Sequence, residues 1–271
     1  MSNHLLRSHA PISDGNWTLL DDEARERLAP ALGARRLVDF EGPFGWTHSA
    51  TNLGRVEPLA QSPCPGVGAR QRRVLPLAEL RAEFRISREE LRDDDRGALD
   101  AELEPLDRAA HDMAVAENKA VLQGWPEAGI TGIAEASPHQ GLTLPTAADG
   151  YPRPVAGAVQ ELLSCGVIGP YGLALGSEAY RRVSETAEHG GYPLRDHLAK
   201  ILEGGPIVWA PGIEGGVVVS LRGGDFRFES GQDLSLGYLE HDRETVTFYL
   251  EQSFSFIVAT PEAAVPLKVA D

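Results

Sequence analysis

Glu117 stands on the apolar face of the longest helical stretch of the chain, where a carboxyl needs either a charged partner or a chemical task. General acid–base chemistry requires a second placed group, and a lone acid does not supply one. Arg108 or Lys119 of a neighbouring molecule is the partner this position suggests. His189 and His197 are eight apart across a Gly-Gly-Tyr-Pro loop, which is not the spacing of a helical metal pair. His241-Asp242 reads as an exposed turn. Asp93-Asp94-Asp95 offers hard oxygen ligands but reads first as a solvated helix end. Gly176-Ser177-Glu178 comes nearest to the nucleophile elbow G-x-S-x-G and reads as a helix start. Arg222-Gly223-Gly224-Asp225 lies between two strand runs, so it is a turn rather than a phosphate cradle. Neither G-x-x-x-x-G-K-[ST] nor G-x-G-x-x-G at a strand–helix junction occurs. No catalytic constellation results, and the residues point to a structural or binding protein rather than an enzyme.

The bulk composition narrows the partners. The 271 residues carry 25 Lys and Arg against 40 Asp and Glu, a net charge of −15. Such a chain is repelled by nucleic acid and by anionic membrane. The one dense basic run, Arg70-Gln71-Arg72-Arg73, is too short to reverse that. Cys64 and Cys165 make neither a disulfide framework nor a zinc site and fit a reducing cytoplasm. No apolar stretch approaches the ~18 residues of a membrane span, and the first residues lack a secretory apolar region.

The elements that must position any site form a mixed α+β chain. Ser13 or Asp14 caps a helix whose apolar stripe is Trp17, Leu20, Ala24, Leu28 and Leu32, with Pro30 near its end and Gly33 as the residue after it. Residues 35–40 alternate like a short strand. Residues 47–76 carry Pro58, Pro63 and Pro65 and show no readable core; a free surface loop or a hairpin that finds partners on another subunit would satisfy them. A strand follows over 77–86, then the capping pattern Ser87-Arg88-Glu89-Glu90 and a short helix, then the long helix over 102–123 with Gly124 as its stop. From 127 to 225 glycine is frequent and elements are short: helices over 154–163, 179–183 and 194–202, strands at 173–175, 207–209 and 217–221. Residues 245–258 alternate as a strand.

Several segments in order resemble the classical (family 1, linocin-type) encapsulins, shell proteins of bacterial nanocompartments. They are Leu5-Leu6-Arg7-Ser8-His9-Ala10-Pro11-Ile12, Gly33 to Asp39, Glu41-Gly42-Pro43-Phe44-Gly45-Trp46, Pro76 to Arg81, Gly169-Pro170-Tyr171, His189 to Leu194, Arg222 to Phe226, Gly231 to Tyr238 and Glu251 to Phe256. The resemblance implies the tailed-phage major capsid protein fold (Hong Kong 97-type), with an N-terminal helix and arm over 1–46 and an extended loop over 47–76. A peripheral domain would comprise 77–130 and 226–271, and an axial domain 131–225. It also implies self-assembly, with about 60 copies in the smallest closed icosahedral shell. A cytoplasmic cargo enzyme is enclosed, either a dye-decolorizing peroxidase or a ferritin-like protein. Val183 to Thr186 and Trp209-Ala210-Pro211 lie closer to shells of the peroxidase type. A prophage capsid packaging DNA shares the fold, and a soluble hydrolase, the third reading, has no active site in this sequence.

The family's cargo proteins dock a C-terminal peptide on the inner wall. The matching positions are Leu28, Arg35, Asp39, Asp233, Leu234 and Leu236. Apolar pockets there would take aliphatic side chains while Arg35 and Asp39, four apart on an extended stretch, share one face. The loop Glu185, Glu188, His189, Gly190, Gly191 and Tyr192 would line the five-fold pore, with one glycine more than the family usually carries. Some members bind flavin between a tryptophan and a tyrosine; Tyr192 matches the tyrosine, but Glu89 replaces the tryptophan, which argues against flavin. No cofactor is then expected in the shell itself, and haem or iron would belong to the cargo.

Overall fold

A computed structural model describes residues 4–187 and 191–270. The chain opens with helix α1 (Asp14–Ala31), which Ser13 caps: its Oγ accepts from Asn16 N–H at 3.0 Å, and the Asn16 side chain accepts from Ser13 N–H. Trp17, Leu20, Ala24, Leu28 and Ala31 form its buried stripe. Next come β1 (Asp39–Glu41), β2 (Ala50–Pro58), β3 (Arg70–Pro76) and β4 (Ala78–Ser87). Helices α2 (Arg88–Asp95), α3 (Glu104–Leu122) and the single turn α4 (Ile133–Ala136) follow. The second half holds β5 (Leu142–Leu144), α5 (Pro152–Ser164), β6 (Tyr171–Leu175), α6 (Ser177–Glu185), α7 (Leu194–Ile201), β7 (Ile207–Trp209) and β8 (Gly216–Ser220). The chain closes with β9 (Phe226–Ser230), β10 (Ser235–His241), β11 (Thr245–Val258) and β12 (Ala264–Val269).

Strand β11 is the spine of the first sheet. One edge pairs with β4 from Ala78↔Phe254 to Ser87↔Thr245; the other pairs first with β10 and then with β9, which takes β1 in parallel. Phe248 and Leu250 pack with α1 and α3 in one apolar core. The opposite face of the same strand is polar and still buried: Thr247, Tyr249, Glu251, Ser253 and Ser255 are all below 9% exposed. The N-terminal arm and the root of the β2–β3 hairpin cover it. Tyr249 donates to the His4 carbonyl at 3.2 Å, and Thr51 meets Ser255.

The second sheet runs β5-β12-β8-β6-β7 and packs on α5. Strand β12 pairs with β8 and β5 there, so the last strand joins the sheet of the 131–225 segment rather than the strands of 226–258 with which the sequence grouped it. Phe228 and Phe254 stack at 4.8 Å and carry the core of this sheet into the first.

Strands β2 and β3 form a two-stranded hairpin, paired from Ala50↔Pro76 to Pro58↔Arg70 and bulged between Asn52 and Arg55. Only its root is buried. Val56, Leu59, Val67 and Val74 are 47–58% exposed, with no core under them in the chain. The free-loop alternative for 47–76 therefore gives way to a hairpin.

Gly33 is not the left-handed residue expected after α1. Its φ is −64°, and a Cβ there would lie 2.2 Å from the Trp209 carbonyl oxygen. Close approach of two backbones, not a positive φ, requires glycine at this position. The stretch after it is a 3₁₀ turn (Ala34–Arg36), not a strand.

Candidate functional site

A groove of about 490 Å³ lies between α1 and the chain entering β10. Leu28 and Leu236 are 7% and 3% exposed and belong to the core beneath it, while Ala29, Leu32 and Leu234 line it with open surface. The stripe of α1 explains the apolar side: Ala24 and Leu28 are one helical turn apart, and Ala29 and Leu32 flank them. The N-terminal arm contributes Leu5 and Arg7. Arg7 forks onto Asp21 at 3.0 and 2.7 Å and lies 4.1 Å over the Trp17 ring, which fixes the arm to α1.

Arg35 and Asp233 form the polar part of the lining. Arg35 Nε donates to Glu117 Oε1 and Oε2 at 2.8 and 3.0 Å. Its Nη2 donates to Glu117 Oε2 at 2.8 Å and to Gln252 Oε1 at 2.7 Å, and its Nη1 donates to Asp233 Oδ1 at 2.6 Å. A guanidinium has five N–H groups. Asp233 Oδ1 also accepts from Leu234 N–H at 2.8 Å, and no bond among the described residues engages Asp233 Oδ2 or the second Nη1 N–H, so the two groove-lining residues keep one acceptor and one donor between them. That pair matches the C=O and N–H of a peptide main chain. Burial pushes the Glu117 carboxyl up from its ordinary range, and the Arg35 contacts oppose the push. Burial also disfavours the Arg35 charge, but Glu117 and Asp233 outweigh it and hold its pKa above the ordinary value.

Two expectations are corrected here. Glu117 does not await Arg108 or Lys119 of a neighbour; it pairs with Arg35 of its own chain, while Arg108 is exposed and bonds Glu104. Asp39 does not share a face with Arg35. The 3₁₀ turn rotates the chain between them, and Asp39 Oδ2 accepts from Gly224 N–H at 2.6 Å, beside a separate cleft with Arg36 and Ser220. Asp39 therefore holds the 222–225 turn, where Arg222 forks onto Asp225. Leu28, Arg35, Asp233, Leu234 and Leu236 do meet in one groove.

Asn118 was not singled out from the sequence. Fully buried beside Glu117, it donates to the Ala31 and Pro211 carbonyls and accepts from Ala34 N–H at 3.0 Å, tying the end of α1 to α3. Two adjacent polar residues on an apolar helical face were the available signal.

The remaining chemistry candidates have structural partners. Ser177 accepts from Trp209 Nε1 at 3.0 Å; Asp94 and Asp95 bond Asn16 and Ser13; His241 meets the Tyr238 hydroxyl at 2.6 Å. Glu89 is ion-paired to Arg92 and Arg96 on α2. Among the described residues, no group of three His, Cys, Asp or Glu is placed to hold a metal ion, and no helix is long and apolar enough to cross a membrane. At the end of α6, Glu185 bonds Arg181 at 2.6 Å; in the loop that follows, Gly191 has φ +80°, and Tyr192 lies 4.8 Å under the Lys200 ammonium. Glu188, His189 and Gly190 lie outside the described residues.

A spine strand, a long helix across it, a projecting hairpin and a second α/β unit define the tailed-phage major capsid fold (Hong Kong 97-type). The chain superposes on the virus-like particle of Pyrococcus furiosus with a TM-score of 0.63 at 17% identity, over 93% of this chain and 99% of that one. It superposes on a structure of Mycobacterium phage Bobi with a TM-score of 0.56 at 14% identity, over 89% and 91%. These likenesses concern the fold alone. Residues 2–255 match the family described as encapsulating protein for peroxidase. The chain is 44% identical over 271 residues to the type 1 encapsulin shell protein of Rhodospirillum rubrum, covering 98% of this chain and 96% of that one. It is 41% identical over 267 residues to that of Brevibacterium linens, covering 98% and 100%, and 38% over 265 residues to that of Mycobacterium tuberculosis, covering 98% and 99%. The chain belongs to this family of encapsulin shell proteins.

Proposed function

We propose that the chain is the subunit of an icosahedral shell of about 60 copies that encloses a cargo enzyme in the cytoplasm and does no chemistry of its own. The observation that carries the reading is the β2–β3 hairpin, whose apolar residues have no core in their own chain. Apolar surface of this kind is normally covered by a partner, and in a self-assembling shell that partner is a second copy. The groove between α1 and β10 takes the cargo's C-terminal peptide: aliphatic side chains enter beside Ala29, Leu32 and Leu234, over Leu28 and Leu236, and the Arg35–Asp233 pair holds one peptide group. The α6–α7 loop, with Glu185, Glu188, His189, Gly190, Gly191 and Tyr192, lines the five-fold pore. The family's description supports a peroxidase as cargo, with a ferritin-like protein as the alternative; haem or iron then belongs to that cargo.

Mass spectrometry of particles purified from the native source tests the reading. A co-purifying peroxidase or ferritin-like protein is expected, and removing its C-terminal tail is expected to leave empty shells. Nuclease-protected DNA in place of such a protein would overturn the reading in favour of a phage capsid.

A further inference from the structure

The Arg35 side chain comes from the single 3₁₀ turn that follows the end of α1, between Gly33 and the half-buried Val38, and one such turn does not by itself fix the direction of a long side chain. Its position is set from across the core instead. Glu117, 0% exposed on α3, grips Nε and Nη2, and Gln252 on β11 takes the second Nη2 donor. The rings of Phe40 and Phe228 lie 5.1 and 5.2 Å from the guanidinium carbon. These contacts leave only Nη1 for Asp233, which is half-exposed. Neither Glu117 nor Gln252 lines the groove.

We propose that Glu117 is a positioning residue for ligand binding in this groove: its buried carboxylate turns Arg35 so that Nη1 alone meets Asp233, which keeps one donor and one acceptor open for a peptide main chain. The inference rests on the groove reading above. Its chemical content is a competition. A guanidinium prefers a two-pronged contact with a carboxylate. With Glu117 ionised, that contact is made in the core. Without it, Asp233 is the nearest remaining carboxylate on Arg35, and a forked Arg35–Asp233 pair closes both groups that the peptide would use.

The test is Glu117→Gln in shells co-expressed with a fluorescent protein carrying the C-terminal segment of the cargo found in wild-type particles. Fluorescence per shell protein is the readout. Glu117→Gln is expected to form shells of normal size that load about tenfold less, the loss of one charge-assisted main-chain contact. Met113→Ala, a core truncation on the same helix, lowers thermal stability without touching Arg35 and is expected to load as wild type. Wild-type loading by Glu117→Gln would overturn the proposal, as would equally poor loading by Met113→Ala, since instability alone would then explain the loss. Leu234→Asp separates the two levels. If it too loads fully, the groove reading itself fails; if it empties the shell while Glu117→Gln loads fully, only the positioning role fails. Should Glu117→Gln form no shells, Glu117→Asp keeps the buried charge but shortens the carboxylate's reach to Arg35 Nε and Nη2. About a threefold drop is then expected, and unchanged loading would overturn the proposal.

Discussion

Filling the groove is a cleaner perturbation than cutting into its floor. Ala29 is exposed on α1 and lines the groove, while Leu28 and Leu236 beneath it are 7% and 3% exposed. Ala29→Trp places an indole in a space of about 490 Å³ without opening a cavity. Excluding one aliphatic anchor from such a pocket costs a ligand roughly 1.5–3 kcal/mol, which is on the order of 10- to 100-fold in affinity. The helix itself loses about 0.5 kcal/mol of propensity, so shell yield and size are expected to stay normal. The assay is co-expression with a monomeric tagged reporter, because an oligomeric cargo would offset weak sites through effective concentration. The ratio of reporter to shell protein is read by fluorescence, and particle integrity by electron microscopy. Intact shells carrying a full reporter load would refute the groove. Leu236→Asp is less informative, because Leu236 shares a core with Leu20 and Phe248, and a carboxylate there breaks the fold before it reports on binding.

Replacing residues 59–69 by an Asn-Gly turn should give a chain with a normal circular dichroism spectrum and a monomeric mass by light scattering; shells formed by this variant would show that the hairpin tip is dispensable. Purified shells should be colourless near 450 nm, roughly the flavin band, since Glu89 withholds one stacked ring pair, on the order of 0.5–1.5 kcal/mol; a stoichiometric yellow shell would show that another aromatic substitutes. Asn118→Ala strands the buried Ala34 N–H, at about 1–3 kcal/mol, and removes one donor each from the Ala31 and Pro211 carbonyls, and scanning fluorimetry should show melting several degrees lower; an unchanged transition would mean that the α1–α3 tie is dispensable.

What was legible in the sequence was local. The Ser13 cap, the stripe of α1 and the long helix α3 follow from spacing within one element, and each stands within two or three residues of its expected bounds. Strands β5, β10 and β12 were missed because the pattern that marks them is supplied by their neighbours. In β12, Ala264 to Leu267 are buried on both faces, so no alternation remains to read. The site divides in the same way. Its apolar lining could be placed from periodicity where it lies on α1, Leu28 included, whereas Leu234 and Leu236 come from the chain entering and beginning β10. Its polar half joins Arg35 to Glu117, 82 residues away, and to Asp233, 198 residues away, and no local spacing encodes such pairs. The family resemblance named Arg35 and Asp233, but it also placed Asp39 with them; a one-turn 3₁₀ segment moved Asp39 to a different cleft.

Electron microscopy of the purified protein under native conditions decides whether this chain closes into a shell. Uniform hollow particles of icosahedral symmetry are expected, with each β2–β3 hairpin lying against a neighbouring chain. A monodisperse monomer, with the hairpin still exposed to solvent, would contradict the assignment.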